Sequence, residues 1–407
     1  MILVEKHIVK ESDSRYAIID EAAYKSKNLY NASLYAIRQY FFETKKYLPY
    51  VELQHQFQTE KQFDYYQLPT KVAQWTMRMV DQNFRSFFKS LKEYKINPSK
   101  FKGTPKLPKY LDKEKGRYLL IYTTQAISKS ELDKRGVIKP SGLNIEINTK
   151  LSFSDIQQVR IVKGVGFYTV EILYKVPDVP FKEDNGLYAA IDLGLNNFAT
   201  VTSNIKGDVP FVISGRDIKS YNHWYNKELA NRKSILEKRN KNKSSKHLRK
   251  IGLKRRNKIS DFMHKSSRYI VNQLVSKNIT TLVIGKNKEW KQDINIGKVN
   301  NQNFVQIPYE QFISQLEYKC MMEGIRVEII NESYTSKCSF LDSEEICKHT
   351  HYKGKRVKQG LFISSEGIKI NADVNGSYNI LIKSKPEAFV DGVKGVLVHP
   401  VIIRITN

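Results

Sequence analysis

The sequence predicts a multidomain α+β chain. An N-terminal β-barrel carries an inserted helical domain, and an α/β domain with a small insertion of its own follows. Three observations predict this. The length of 407 residues suits two to four domains at roughly 100–200 residues each. The apolar fraction of 41% is enough for several cores. Along the chain, strand alternation gives way to helical spacing, returns to strands, and then alternates between apolar runs and helices.

Residues 1–10 alternate apolar and polar, as a strand does. Asp20 is placed to cap a helix running through Phe42, with Tyr30, Leu34, Ile37 and Phe41 on one face. After Pro69 a second helix is expected from Thr70 to about Tyr94. Ala73, Met77, Val80, Phe84, Phe87 and Leu91 make its apolar face. The basic Pro/Gly segment 100–109 marks a boundary. Strand signals follow at 117–123, 143–147, 159–162 and 166–174, with Lys163-Gly-Val-Gly166 as a hairpin turn. These strands and the first are expected to form the barrel around the helical insertion. Residues 177–185 read as a linker.

The apolar run 188–191 then reads as a buried strand that delivers Asp192 and breaks at Gly194. Short strands at 198–202 and 211–213 complete the opening of a ribonuclease-H-like sheet. Residues 227–268 hold 16 Lys/Arg against three acids, Glu228, Glu237 and Asp261. A solvated helix mixes its signs. A one-signed stretch repels itself unless phosphates neutralise it, so nucleic acid is the expected contact. A helix at 265–276, a strand at 280–285, an amphipathic helix at 302–322 burying Cys320, and a strand at 325–330 follow. Residues 337–362 are a polar insertion. Strands at 360–363 and 368–370, a helix at 375–385 and a last strand within 396–405 close the chain.

The formal net charge of +27 points to acidic partners, nucleic acid first. No run approaches the ~20 apolar residues of a membrane span. The first ten residues carry Glu5 and do not read as a secretory signal. Three cysteines make no disulfide framework, which fits a reducing cytosol.

Burying a carboxylate without a partner costs several kcal/mol. Asp192, Glu332 in Asn331-Glu-Ser-Tyr-Thr-Ser336 and Asp373 in Ile370-Asn-Ala-Asp-Val-Asn375 all stand where a strand yields to a turn or helix. The expectation is that they converge as catalytic and metal-binding groups. Three carboxylates suit two hard cations, Mg²⁺ or Mn²⁺, roughly 4 Å apart, the arrangement used for phosphodiester hydrolysis. The plainer alternative is that each acid caps a turn or pairs with a nearby base.

Ala190-Ile-Asp-Leu-Gly-Leu-Asn-Asn-Phe-Ala-Thr200 resembles the first RuvC motif of the TnpB family, transposon-encoded RNA-guided nucleases related to the type V CRISPR effectors. Asn371-Ala-Asp-Val-Asn-Gly-Ser-Tyr-Asn-Ile380 is similar to its third motif, and Tyr334-Thr-Ser-Lys337 to the segment that opens its small insertion. Two departures matter. The family's second motif ends a strand with glutamate, but here Gly285 stands there. The resemblance to a subgroup with a relocated glutamate implies Glu332 in that role, with Glu289 and Glu328 as reserves. Where the family often has two Cys-x-x-Cys pairs, this chain has only Cys338 and Cys347, near His349 and His351. Cys-x₈-Cys-x-His-x-His is not a standard ligand spacing. The expectation is an insertion without structural zinc, packed by Phe340, Leu341, Ile346 and Phe362.

The resemblance implies a wedge barrel at 1–12 and 101–180, a helical recognition domain at 13–100 and a RuvC-like nuclease domain at 181–336 and 363–385. It implies a target-nucleic-acid-binding insertion of degenerate zinc-ribbon type at 337–362 and a tail at 386–407. Thr70, Lys71 and Gln74 are the candidates to read DNA base edges. Lys254, Arg255, Arg256, Lys258 and Arg268 are the candidates to hold a nucleic-acid backbone. The function implied is an RNA-guided DNA endonuclease with a guide RNA from the transposon end and double-stranded target DNA. It would act in the cytosol of a bacterium or archaeon, as a monomer with its RNA. The alternative is an RNA-guided DNA-binding regulator with an inactive nuclease site.

Overall fold

A computed structural model describes residues 1–240, 245–287, 306–358, 360–390, 392–393 and 395–405. The chain is a mixed α+β protein of two compact units, Met1–Pro177 and Asp178–Asn407. Among the described residues, no helix is long and apolar enough to cross a membrane.

The first unit starts with β1 (Ile2–Lys10), α1 (Arg15–Thr44), α2 (Tyr50–Thr59), α3 (Phe63–Tyr66) and α4 (Thr70–Ile96). It continues with β2 (Leu120–Thr123), α5 (Lys129–Arg135), β3 (Val137–Ile138), β4 (Ile147–Asn148), β5 (Ile156–Lys163) and β6 (Phe167–Lys175). A four-stranded antiparallel sheet runs β1-β6-β5-β2, so α1 to α4 lie in sequence between its two edge strands. Val159, Ile161, Val170 and Ile172 bury one face of that sheet in the same core as Ile19, Val80 and Phe84 of the helices.

Two local expectations change here. Asp20 does not cap α1, which starts five residues earlier with Ser14 at its N-cap position. Asp20 instead accepts hydrogen bonds from Arg117 (2.7 Å), Tyr168 (2.7 Å) and Lys163 (2.9 Å). A cap and a long-range ion pair call for the same residue type, so composition alone does not separate them. Residues 143–147 alternate buried and exposed as a strand would, but only Ile147 and Asn148 join a ladder, with β3. Alternation records burial, and pairing needs a neighbour.

The second unit contains β7 (Tyr188–Leu193), β8 (Asn197–Ser203), β9 (Phe211–Ser214), α6 (Arg216–Asn240), α7 (Lys246–Ser276), β10 (Thr281–Gly285) and α8 (Tyr309–Met322). β11 (Arg326–Ile330), β12 (Lys355–Lys358), β13 (Leu361–Ile363), β14 (Lys369–Asn371), α9 (Ala372–Ser384) and β15 (Val401–Ile403) complete it. The main sheet has the order β11-β10-β7-β8-β9-β15. β8 runs antiparallel to β7 and β9, whereas β10 is parallel to β7 and β11. The antiparallel opening read from the sequence is therefore present, and β7 lies inside the sheet.

Phe262, Met263 and Ile270 of α7 and Phe312 and Leu316 of α8 share a core with β7 and β8. On a separate cluster, Ile380 and Leu381 of α9 meet Tyr188, Ala190 and Val283. The basic stretch is helical over residues 227–240 and 246–268. It contributes to α6 and supplies most of α7, whose Leu248, Ile251, Ile259, Phe262 and Ile270 are buried at helical spacing. β12, β13 and β14 make a small antiparallel sheet.

Candidate active site

Asp192 lies one residue from the end of β7, beside the last residues of β10. Ile284 pairs with Ile191, and Gly285 pairs with Ile330 at the end of β11. Glu332 follows β11 by two residues, which brings it back toward the same edge. A β-carbon on Gly285 would meet Oε2 of Glu332 at 3.0 Å and clash with Ile380. The Glu332 carboxylate thus occupies the space beside Gly285 that a side chain there would need.

The third acid comes from α9. Asn371 caps this helix, its Oδ1 accepting from the backbone N–H of Asp373 (2.9 Å) and of Val374 (3.2 Å). That cap starts the helix at Ala372, earlier than the expected 375, and puts Asp373 in the first turn, where the helix dipole favours an anion. Small residues let α9 approach the sheet. A β-carbon on Gly376 would stand 2.9 Å from Oδ2 of Asp192. The Ser377 hydroxyl bonds to the Ala190 carbonyl at 3.0 Å and lies 2.9 Å from the Thr202 hydroxyl.

The electrostatics tie the three acids together. Burial, then the Glu332 and Asp373 carboxylates, push Asp192 well above the usual carboxylate range, with Arg356 pulling the other way. Burial pushes Glu332 up to about 7, with Lys383 opposing. Glu332 Oε1 accepts from Asn287 at 3.1 Å, and its Oε2 is buried with no partner among the described residues. Asp373 accepts from Asn197 (2.6 Å) and Arg356 (3.2 Å). Thr200, paired with Asp192 across β7 and β8, has a buried hydroxyl without a described partner. Tyr309 donates to the Gly194 carbonyl at 2.7 Å behind the Asp192 strand.

Three clustered oxygen acids, one raised by the other two and one with an orphaned oxygen, fit a hard divalent cation in donor chemistry. As the side chains stand, among the described residues no three His, Cys, Asp or Glu groups are drawn tightly enough to hold a metal ion. Asp373 is committed to Asn197 and Arg356, and Glu332 to Asn287.

Residues 171–291 match the model of the OrfB_IS605 family, a probable transposase, and residues 309–380 match the Cas12f1-like TNB domain. Both matches lie in the carboxyl-terminal part of the chain, apart from the first residues of the OrfB_IS605 match. A curated relative, TnpB-like protein ORF457 of Acidianus two-tailed virus, is 24% identical over 205 residues. That match spans 48% of this chain and 41% of the relative. A structure of a Cas12f1–sgRNA–target DNA complex aligns at 15% identity over 95% of this chain and all of that one, with a TM-score of 0.37. A CRISPR-Cas12f ternary complex aligns at 14% identity over 89% and 81% of the two chains, with a TM-score of 0.36.

The second unit places the remaining candidates as follows. Glu328 lies within β11 and is held by Lys385 (2.8 Å) and Ser384 (2.7 Å), away from the acid group. Glu289 lies outside the described residues. Lys254 and Arg256 are exposed on α7. Arg255 is tied inward to Asn222 (2.8 Å) and the Gln306 carbonyl (3.1 Å), and Arg268 pairs with Glu323 at 3.2 Å, so neither is a ready backbone contact. In the first unit, Thr70 and Lys71 are exposed at the start of α4, and Gln74 is half-buried.

In the insertion, Cys338 and Phe340 are buried, and Phe340 packs with Phe362 and Tyr378 in one core. Leu341 is partly buried there. Cys347 Sγ lies 3.4 Å from His349 Nε2, and the Cys338 thiol points at the Cys347 carbonyl. Glu344, buried, accepts from the N–H of Ser339 (2.7 Å) and of Lys353 (2.8 Å). Asn375 and Asn379 bind the Cys338 carbonyl from α9. Sequence reading passed over Asn197, Asn287, Arg356, Lys383 and Glu344. Asn197 already stood inside the first motif, whereas Arg356 sat in a segment read only as polar.

Proposed function

We propose that this protein is an RNA-guided DNA endonuclease of transposon origin, with Asp192, Glu332 and Asp373 as its catalytic and metal-binding carboxylates. The observation that carries the reading is the raising of Asp192 by burial and by the Glu332 and Asp373 carboxylates, inside a unit similar to TnpB. Charges that repel each other at close range need cations to offset them. Bound Mg²⁺ or Mn²⁺ would supply Lewis acidity for phosphodiester hydrolysis. Asp192 would hold the cation together with Asp373 in this reading. Glu332 stands in for the acid missing at Gly285, with Asn287 orienting it. Asn197 positions Asp373, and Arg356 offers a cation to the substrate phosphate. No side-chain general base is required.

The four-stranded sheet of the first unit is proposed as the wedge barrel and α1 to α4 as the recognition domain, with Thr70, Lys71 and Gln74 reading a short target-adjacent motif. The partners proposed are a guide RNA from the transposon end and double-stranded DNA, bound by a monomer in a bacterial or archaeal cytosol. The insertion is proposed to bind target nucleic acid without structural zinc, held by Phe340 and Glu344.

The test is cleavage of a matched plasmid by protein purified with its co-expressed RNA. Wild type is expected to cut only with divalent cation and guide. Asp192→Asn, which keeps size and removes charge, should bind target and not cut. Cutting retained by that variant would overturn the site. Binding without cutting by wild type would instead establish the regulator.

A further inference from the structure

The start of α6 and the middle of α7, with Ile405 from the tail, enclose a cleft of about 420 Å³ remote in sequence from the three acids. This lies within the roughly 300–1,000 Å³ of small-ligand sites. Its floor is apolar, made by buried Ile218, Ile259 and Phe262. Its wall is aromatic. Tyr221 and Trp224 lie with ring centroids 5.3 Å apart at 31°. Trp224 is 46% exposed, unusual for the largest apolar side chain. The Tyr221 hydroxyl is buried and lacks a partner among the described residues. Lys258 holds its ammonium 4.8 Å from the Tyr221 ring centroid, and Asp217 stands on the rim.

We infer that this cleft is a stacking site for an unpaired nucleobase of single-stranded nucleic acid. The chemistry selects that ligand over others. A base needs a flat apolar face, which Trp224 offers outward, and an edge of polar partners, which Asp217 and the Tyr221 hydroxyl supply. The phosphate next to it needs a cation, which Lys258 provides. The surrounding stretch 227–268 carries 16 Lys/Arg against three acids, so an anionic chain is drawn to these two helices. A duplex hides its base faces and cannot use the site. An apolar small molecule would gain nothing from Lys258. The inference rests on the proposed nucleic-acid binding and adds where, and through which contact, a single strand is gripped.

The test uses the full-length protein and a short single-stranded oligonucleotide carrying 2-aminopurine, in deoxy and ribo forms, beside a blunt duplex of the same sequence. Stacking on an aromatic ring quenches 2-aminopurine. Wild type and Trp224→Phe are expected to quench it. Trp224→Ala should not, and should bind the single strand roughly 5- to 100-fold more weakly, the range for losing one stacked base. Duplex affinity should stay unchanged. Trp224 is exposed, so an unchanged melting temperature for Trp224→Ala is expected and checks folding. A preference for the deoxy or the ribo strand supports the site and says which strand fills it. Undiminished single-strand binding and quenching in Trp224→Ala overturns the site and leaves nucleic-acid binding standing. Failure of wild type to bind any of the three nucleic acids removes both.

Discussion

Gly285 and Gly376 each keep open a space that a carboxylate edge fills, Glu332 at the first and Asp192 at the second. Gly376 gives the sharper prediction. In a helix interior, Gly→Ala ordinarily gains up to about 1 kcal/mol. Here the new methyl would stand 2.9 Å from Oδ2 of Asp192. Gly376→Ala is therefore expected to melt no lower than wild type by more than about 1 kcal/mol, while its cleavage rate falls by roughly 10- to 100-fold because a reacting group is displaced. Calorimetry beside plasmid cleavage separates the two effects. Glu332 makes a second prediction. A carboxylate raised to about 7 by burial is ionised at a cost to the fold. Glu332→Gln should stabilise the chelator-treated protein at pH 8 by about 1 kcal/mol or more, yet lower cutting by at least about 100-fold, a barrier increase near 2.7 kcal/mol. Glu328→Gln removes only the charge that faces Lys385 and Ser384 and should leave cutting near wild type. The reverse ranking would move the third acid off Glu332.

Among the elements, legibility followed the strength of the burial pattern. β7 and α4 were readable because long apolar periodicities left little choice. The basic helix α7 was read only near its end, because charge obscured the buried positions Leu248, Ile251 and Ile259. The insertion was the least readable. Its order rests on Glu344 reaching the backbone N–H of Ser339 on one side and of Lys353 on the other, and no local pattern announces that contact. Glu344→Ala leaves both donors buried or half-buried without their acceptor. It should cost about 2 kcal/mol or more and speed amide exchange at Ser339 and Lys353, while exchange in β5 and β6 is unchanged. Asp20 shows the same kind of long-range order in the first unit. Burial opposes its charge, but hydrogen bonds from Arg117, Tyr168 and Lys163 outweigh it and hold the carboxyl at about 2. The folded value is below the unfolded one near 4, so the stabilisation is fully present above pH 4 and lost as pH falls from there toward 2. Screening at a partly exposed site leaves about 1–2 kcal/mol of it. Asp20→Asn should lower the melting temperature at pH 7 and converge with wild type near pH 2.

For the whole molecule, the formal charge of +27 was plain from composition, but its use depends on which cations the fold leaves facing outward. Arg255 and Lys254 are neighbours in sequence with opposite fates. Arg255 is spent on Asn222 and the Gln306 carbonyl, so it braces α6 and the segment just before α8 against α7. Lys254 and Arg256 are exposed beside it. A phosphate contact releases counterions, and each one lost reduces the slope of log affinity against log salt by roughly 0.7–0.9. The variant Lys254→Ala should therefore flatten the salt dependence of nucleic-acid binding by up to about 0.9, with an unchanged melting curve. Arg255→Ala should do the opposite, lowering the melting temperature while the salt slope of the folded fraction is preserved. If Arg255→Ala flattens the slope and Lys254→Ala does not, the phosphate path runs on the buried side of α7, and the backbone-holding surface must be redrawn around Asn222 and Gln306.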